Sequence, residues 1–300
     1  MGWIMVPLPN VSKEIKDRLV FGLLFSTIAI IFWALSWQVS GVLSGEAELK
    51  INFYDVGQGD AILIQKGDLQ ILIDGGPDEE ILNALGRDLP PWDRTIELMI
   101  LTHPHADHLA GLNPVIERYK VEKFLYYPSV YDTQGYKKFL DVMEKEHLAD
   151  GSIILQASAG GDLWVGEVHL QILWPTDNYH SKNVNNESVV ALLSYEDFEV
   201  LLLGEVEQEA QANFLSSIKE VELIKISHHG SWNGTYEPLL RLARPQLAVI
   251  PVGVRNTYGH PHQSTLNLLE RLGISILRTD ISGTIRVQSD GKSFWYHTER

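Results

Sequence analysis

The sequence contains no cysteine. No disulfide and no thiolate metal site is therefore possible, so any metal ion must be held by His, Asp or Glu. The same absence leaves the compartment undecided. Basic residues are also scarce: 24 Lys and Arg stand against 39 Asp and Glu, a formal net charge of −15. That sign argues against a broad basic surface and against strong non-specific DNA binding. It leaves room for a phosphate substrate, because bound cations can supply local positive charge. There is no low-complexity tract and no short-period repeat. With 45% hydrophobic and 21% charged residues, the chain reads as globular over most of its 300 residues, long enough for a sizeable core.

One segment lacks charge altogether. From Leu19 to Gly45 there is no Asp, Glu, Lys, Arg or His. Its centre, LVFGLLFSTIAIIFWALSWQV, is ~20 residues long and at ~1.5 Å per residue matches a hydrocarbon layer of ~30 Å. Trp33 and Trp37 sit toward one end, as interface aromatics do. Residues 19–43 are predicted to be a transmembrane anchor, with 1–18 a short cytoplasmic N-terminus. Lys13, Lys16 and Arg18 precede the span, and Glu46 and Glu48 follow it. The positive-inside rule then places residues 49–300 outside the cytoplasm, on a single-pass protein of the cell membrane. A buried soluble helix is the competing reading. So is a cleaved signal peptide, with Gly45 and Ala47 as small residues at the cleavage site.

From Leu49 onward the pattern turns to short strands and helices. KINFYDV alternates, and AILIQKGDLQILID reads as two strands around a turn at Lys66-Gly67-Asp68. EEILNALGRDL is helical and stops before Pro90-Pro91. TIELMILTH is a buried strand, LAGLNPVIERY a short helix and VEKFLYYP a further strand. Residues 135–148 are predicted helical. A second run of strands follows in EVHLQILWP, SVVALLSYEDFEVLLLG, VELIKISHH and QLAVIPVG, with helical patterns near 206–219, 236–243 and 264–272. SILRTD, GTIRVQSDG and SFWYHT close the chain. Strand groups in both halves, each with helices to cover one face, predict two sheets packed face to face with outer helices.

HPHADH, residues 103–108, holds three histidines and one aspartate in six positions, where a buried strand ends and a helix is about to start. Strand ends open into loops, and loops on rigid scaffolds carry sites. Imidazole and carboxylate suit zinc, and also iron or manganese. Four ligands in one turn exceed what a single ion would take from it. Division between two adjacent cations follows, with His103 and His105 facing one and Asp107 and His108 the other. Asp55 in DVGQGD and Asp74 in IDGG are either carboxylates that orient ligating imidazoles or turn acids after strands. His147, His169 and His297 lie away from these motifs and read as structural or exposed.

HPHADH resembles the signature of the metallo-β-lactamase fold superfamily. FYDVGQGDAILI, ILIDGG, LTHPHADHLAGL, NNESVVALL, ISHHGS, NTYGHP and ILRTDISGTI occur in that order, and together they resemble the metallo-hydrolase domain of ComEC-type competence proteins, over about 49–288. The resemblance implies an α/β, four-layer αββα sandwich over 49–300, with a site at one rim of the two sheets. It implies two divalent metal ions, zinc first and manganese or iron next, and a metal-bound hydroxide that attacks an ester, often a phosphodiester. Those relatives are large polytopic channels for DNA uptake. Here one predicted span carries the hydrolase-like domain, so the channel function is not carried over.

By the same resemblance, one of His228 and His229 in SHHGS is the third imidazole on the His103/His105 ion. His229 is preferred, which leaves His228 to touch substrate or donate a proton. His260 in YGHPH is implied as a ligand of the Asp107/His108 ion, and His262 is left out. The superfamily bridges its ions with an aspartate in a TGD-like segment. This chain has LLLGEVEQEA, with Glu205 at that place. Glu205 either ligates with one extra methylene or merely starts the following helix. A further departure is NNES, where many members have a histidine and this chain has Glu187 after Asn185 and Asn186. Glu187, or His180 nearby, is a possible substitute.

The expected activity is that of a membrane-anchored phosphodiesterase or nuclease. Asp107 is held by the metals and His228 serves the leaving group. The substrate is a phosphodiester, possibly DNA, and a separate channel or competence protein is a possible partner. A non-catalytic or single-metal binding module on the same fold is the alternative raised by Glu205 and the missing histidine. Hydrolysis of a lipid or cell-wall phosphodiester, or of another ester, is a third.

Overall fold

The computed structural model describes residues 48–300. The expected N-terminus 1–18 and anchor 19–43 lie outside the described residues. Among the described residues no helix is long and apolar enough to cross a membrane.

In chain order the strands are β1 (Leu49–Phe53), β2 (Ile62–Lys66), β3 (Leu69–Ile73), β4 (Thr95–Ile96), β5 (Leu98–Leu101), β6 (Lys120–Val121), β7 (Lys123–Tyr126), β8 (Ile153–Gln156), β9 (Asp162–Val165), β10 (Val168–Trp174), β11 (Val190–Tyr195), β12 (Phe198–Leu202), β13 (Leu223–Lys225), β14 (Leu247–Ile250), β15 (Ser275–Arg278), β16 (Ile285–Ser289) and β17 (Phe294–Thr298). The first large sheet has the order β17-β16-β1-β2-β3-β5-β7-β8, and the second β15-β14-β13-β12-β11-β10-β9. β4 and β6 form a two-stranded parallel ribbon beside the first.

Alternation along each strand assigns its side chains to layers. Ile62, Ile64, Ile71, Ile73, Leu98 and Ile100 of the first sheet join Val200, Leu202, Leu223, Leu247 and Val249 of the second in one buried cluster. That cluster is the seam between the sheets. The residues between them point the other way. Leu63, Leu72, Met99 and Leu101 meet Ile81 and Leu85 of the helix Glu80–Asp88 and Phe139 and Met143 of the helix Gln134–Asp150. Leu201, Ile224, Ala248 and Ile250 meet Leu239 and Leu240 of the helix Glu237–Ala243 and Leu269 of the helix Gln263–Arg271. Strands apolar on both faces are what a central sheet covered on each side requires. The layers are therefore αββα.

Strand direction collects the loops that matter. β3, β5 and β7 run parallel in the first sheet, and β12 to β15 run parallel in the second. The C-terminal ends of β3, β5, β12, β13 and β14 lead into Asp74, His103, Glu205, His228 and Pro251 respectively. β2 and β11 run antiparallel to their neighbours, so Asp60 and Ser188, which precede them, join the same rim. Loops beyond the carboxyl ends of parallel strands are where α/β folds place ligands.

Three local expectations differ from the structure. The segment LAGLNPVIERY forms no single helix: helices Ala106–Leu109 and Leu112–Ile116 are separated at Ala110-Gly111. The break lets Gly111 pack on the loop after β3, where Gly111 N donates to Gly76 O at 3.1 Å. A Cβ on Gly111 would stand 1.9 Å from Gly75 O. The strand expected through VELIKISHH stops at Lys225, because His228 and His229 adopt left-handed φ values of 48° and 52°. The segment near 206–219 is a short helix, Gln208–Gln211, continued by a 3-10 stretch.

Candidate metal centre

Glu205 occupies the middle of the site. Its Oε1 lies 2.9 Å from His229 Nε2 and 3.1 Å from His108 Nε2. Its Oε2 lies 3.2 Å from His103 Nε2, 3.9 Å from His105 Nδ1 and 3.8 Å from His228 Nε2. One carboxylate thus separates two groups of donors. Asp107, His108, Glu205 and His229 bring one ligand atom each within 4.8 Å of one another, and so do His103, His105 and Glu205.

The backbone around Glu205 is fixed from three sides. Glu205 N donates to Ser188 Oγ at 3.1 Å, and Lys225 Nζ donates to Gly204 O at 2.7 Å. Glu207 N donates to Asn186 Oδ1 at 2.8 Å, which starts the following helix. Glu205 is 2% exposed, so its charge depends chiefly on its neighbours.

The tautomers can be read from the outer partners. Thr102 Oγ1 donates its one proton to Asp74 Oδ2 at 2.6 Å. It must then accept from His103 Nδ1, 3.1 Å away. His108 Nδ1 donates to Asp74 Oδ2 at 2.7 Å, and His229 Nδ1 donates to the Pro251 carbonyl at 2.8 Å. In the neutral imidazole each proton sits on Nδ1, and the lone pair of each Nε2 faces Glu205. His229 Nε2 makes no aligned hydrogen bond despite its nearness to two carboxylates. His229 Nε2 is thus aimed past both carboxylates, as a ligand nitrogen is, whereas His108 Nε2 is hydrogen-bonded to Glu205 Oε1 at 3.1 Å.

Spacing supports the same conclusion. Nitrogens ~2.0–2.1 Å from a tetrahedral zinc are roughly 3.3 Å apart. His103 Nε2 and His105 Nδ1 are separated by 3.1 Å. The donor set fits divalent cations. A third acidic group, Asp60, Asp74 and His108, is equally tight. Both oxygens of Asp74 are engaged by Thr102 and His108, and Asp60 Oδ2 by the Lys225 ammonium, which leaves Asp60 Oδ1 without a hydrogen-bond partner.

Electrostatics follow from burial and the shared carboxylate. Burial lowers His103 to about 4, with His108 pressing the same way and Glu205 opposing. Burial also acts to lower His108, but Asp74 and Glu205 outweigh it and hold His108 well above the ordinary histidine value. For His229 burial is outweighed by Asp107 and Glu205, which raise it to about 9. Burial pushes Glu205 up, yet His108 and His103 hold it well below the ordinary range. Asp107 is likewise lowered: burial opposes, and His229 and His108 prevail. Without cations, imidazolium protons carry the positive charge that this cluster of carboxylates demands.

The structure rearranges the expected pairing. His229 groups with Asp107, His108 and Glu205, not with His103 and His105, because its bond to Pro251 turns Nε2 toward Glu205 Oε1. His260 joins neither donor group. Its ring centroid is 6.3 Å from that of His229 and 5.4 Å from that of His228, and Asn256 holds its backbone N and O. Burial lowers His260 to about 4, with His228 and His229 adding to the effect. His228 has its ring in the pocket and faces Glu205 and Glu207, and burial lowers its pKa. Glu187 turns away to accept from Ser181 N at 2.9 Å, with His180 3.8 Å off, so neither completes a donor group. Asp55 pairs with Arg300 at 2.9 Å and orients no imidazole, whereas Asp74 does.

These groups floor a pocket of about 290 Å³ lined by His105, Asp107, Asn185, Glu205, His228, His229 and His260, with Gln58 and Tyr258 at its sides. The sequence reading missed Thr102, Asp60 and Lys225. Only Lys225 carried a signal, as a lysine inside the apolar run VELIKI.

A family profile described as the metallo-beta-lactamase superfamily matches residues 54–254, and the chain belongs to that superfamily. Within it, the chain is 30% identical to recombination protein 2 of Haemophilus influenzae over 287 residues, covering 93% of this chain and 33% of that protein. It is 26% identical to ComE operon protein 3 of Bacillus subtilis over 272 residues, covering 81% of this chain and 33% of the relative. The chain therefore spans about a third of the length of the curated relatives it matches. Among solved structures it is similar to the metallo-beta-lactamase fold protein YhfI from Bacillus subtilis, with a TM-score of 0.53, 12% identity and coverage of 83% of this chain and 100% of the other. It is also similar to Igni18, a metallo hydrolase from Ignicoccus hospitalis, with a TM-score of 0.51, 17% identity and coverage of 80% and 98%. At such identities these structures share the fold.

Proposed function

We propose that this chain is a membrane-anchored, extracytoplasmic phosphodiesterase or nuclease that works with two divalent cations, zinc foremost, and is linked to DNA uptake. The observation that carries the reading is Glu205: one carboxylate presents separate oxygens to two donor groups that share the HPHADH turn. A bridging role is thereby open to glutamate despite the extra methylene. The similarity to a competence protein, ComA of Neisseria gonorrhoeae, at 23% identity over 80% of this chain, supports the DNA connection.

His103, His105 and Glu205 would hold one cation, and Asp107, His108, His229 and Glu205 the other. When bound, the pair supplies Lewis acidity that activates water and neutralises charge on a phosphoryl oxygen. The chain does the rest. Asp74, Thr102 and Pro251 hold the imidazoles in one orientation, which keeps the donors from relaxing during the reaction. His228, open to the pocket beside Glu207, relays a proton to the leaving oxygen. Tyr258 and Gln58 bound the space that the ester enters.

A single-cation binding module is the second reading. It is favoured by one observation: the His103 group contains three residues and no third imidazole, against four residues in the other group. Metal content separates the two. Two equivalents of Zn or Mn, with metal-dependent cleavage of single- or double-stranded DNA or of bis-p-nitrophenyl phosphate, support the hydrolase. One equivalent or none, without turnover, supports the module. Asp107→Ala is the control, and cleavage that survives it would overturn the proposed site.

A further inference from the structure

Three asparagines lie in one turn before β11. The side chain of Asn183 accepts from Asn185 N at 3.2 Å and starts the 3-10 helix Val184–Glu187. Asn186 Oδ1 accepts from Glu207 N at 2.8 Å, its Nδ2 donates to Glu209 Oε1, and Trp174 Nε1 donates to its carbonyl at 2.7 Å. One side chain shapes the turn, and the other fastens it to the segment after Glu205. The side chain of Asn185 does neither. Asn185 is 6% exposed and lines the pocket with His105, Glu205 and His228. Its Oδ1 is buried without a hydrogen-bond partner, and among the described residues its Nδ2 donates to no group.

An amide buried with neither end paired destabilises a fold, whereas a leucine of similar branched shape does not. The chain therefore keeps here a polar group that its own structure leaves unused. Burial decides which end serves a ligand. Oδ1 is sealed, so the end left for the pocket is Nδ2. An N–H donor suits an anionic oxygen and not a cation. No lysine or arginine lines the pocket, so few fixed N–H donors face a substrate oxygen there. The turn is also held still. Ser188 N donates to Asn185 O at 3.0 Å, and Ser188 Oγ accepts from Glu205 N at 3.1 Å. Asn185 is thereby tied to the carboxylate in the middle of the site.

We propose that Asn185 is a catalytic residue whose Nδ2 donates to the non-bridging phosphoryl oxygen on which negative charge grows during hydrolysis. The inference rests on the phosphodiesterase reading above. The water oxygen bonds to phosphorus as the bond to the leaving oxygen breaks. One water proton reaches the leaving oxygen through His228, and the other stays with the new phosphoryl oxygen. Asn185 keeps both amide protons throughout. A donor fixed before the reaction acts more on the transition state than on the bound ester.

The test uses the purified full-length chain loaded with Mn²⁺, with bis-p-nitrophenyl phosphate as substrate and orthovanadate as a second probe. Asn185→Leu removes the unpaired amide and keeps the branched shape. Its Mn²⁺ content is expected to equal that of the wild type, and its Tm to equal or exceed it. Its kcat should fall by about 10²–10³ with KM nearly unchanged. Orthovanadate, which can take the five-coordinate shape of phosphoryl transfer, should lose more affinity than inorganic phosphate does. Should leucine overpack the turn and lower Tm, Asn185→Ala decides, with the same fall in kcat at full Mn²⁺ content. Unchanged kcat in the deciding variant overturns the proposal. So does a fall in kcat that only follows a loss of bound Mn²⁺, which would make Asn185 a structural residue. A wild-type chain that holds Mn²⁺ and does not cleave the ester overturns the phosphodiesterase reading, a distinct outcome, and the inference falls with it.

Discussion

Asp74 accepts the Nδ1 proton of His108 at 2.7 Å, with both side chains fully buried. Asp74 sits in a left-handed conformation at φ 57°, which turns its carboxylate back along β5 to meet Thr102 as well. The pair fixes which nitrogen of His108 faces Glu205. Removing such an outer partner from a metal ligand costs ~10–100-fold in metal affinity. Asp74→Ala is expected to weaken Mn²⁺ or Zn²⁺ binding by about that factor, measured by competition with a chromophoric chelator. Unchanged affinity would show that His108 needs no orienting carboxylate.

Glu205 reaches both donor groups from a backbone held by Ser188 and Lys225. Glu205→Asp shortens the reach by one methylene and should lose contact with one group or both. If the chain holds two cations as proposed, metal content by mass spectrometry is expected to fall from two equivalents toward one. Glu205→Gln, which keeps the length and loses the charge, should weaken both ions. A Glu205→Asp variant that retains two ions at wild-type affinity would mean that the backbone follows the shorter side chain.

The pH dependence follows from His229. Its ordinary value of 6.5 is raised to about 9 in the folded, cation-free chain. A raised group contributes stability that is complete below 6.5 and lost as pH rises through 9. Ligation requires the deprotonated imidazole, so cation binding strengthens over the same interval. The difference in Tm between loaded and chelator-treated protein should therefore widen from pH 6.5 to 9. Calorimetry in buffers of different ionisation enthalpy should detect proton release on binding near neutral pH. A Tm difference that narrows with rising pH would contradict the assignment.

The loop after β3 and the break after His108 touch backbone to backbone. A Cβ on Gly111 would meet Gly75 O at 1.9 Å and Asp78 O at 2.6 Å. Gly111→Ala is expected to cost ~2–3 kcal/mol, a fall in Tm of roughly 5–10 °C, with metal affinity reduced as well because Gly75 N bonds to His108 O. Gly86→Ala, inside the helix Glu80–Asp88 with open space around it, is the control and should leave metal affinity unchanged and raise stability by up to about 1 kcal/mol. Equal behaviour of the two variants would refute the packing argument.

Some of this was legible in the chain and some was not. Apolar alternation in AILIQ and LQILI announced strands covered on both faces, and HPHADH announced a two-part donor set, because both signals are local. β8 and β9 were not anticipated: they are short edge strands, and β8 has partly exposed side chains. The side of Glu205 that His229 faces was not legible, because SHHGS holds two adjacent histidines and nothing in their order says which ring turns toward which donor group. Consecutive left-handed residues and the Pro251 carbonyl make that choice.

The sequence by itself determined the layered α/β pattern, the absence of thiolate ligands and the histidine-rich turn at the end of β5. Each follows from residue type and near-neighbour spacing. Only the tertiary structure decided that Glu205 lies between the two donor groups, that Asp74 serves His108 while Asp55 does not, and that Lys225 and Asp60 meet beneath the site. Those relations join residues far apart in the chain. They depend on the strand order that brings the ends of β3, β5, β12, β13 and β14 to one rim, and burial there leaves each charge dependent on whichever partner the fold supplies.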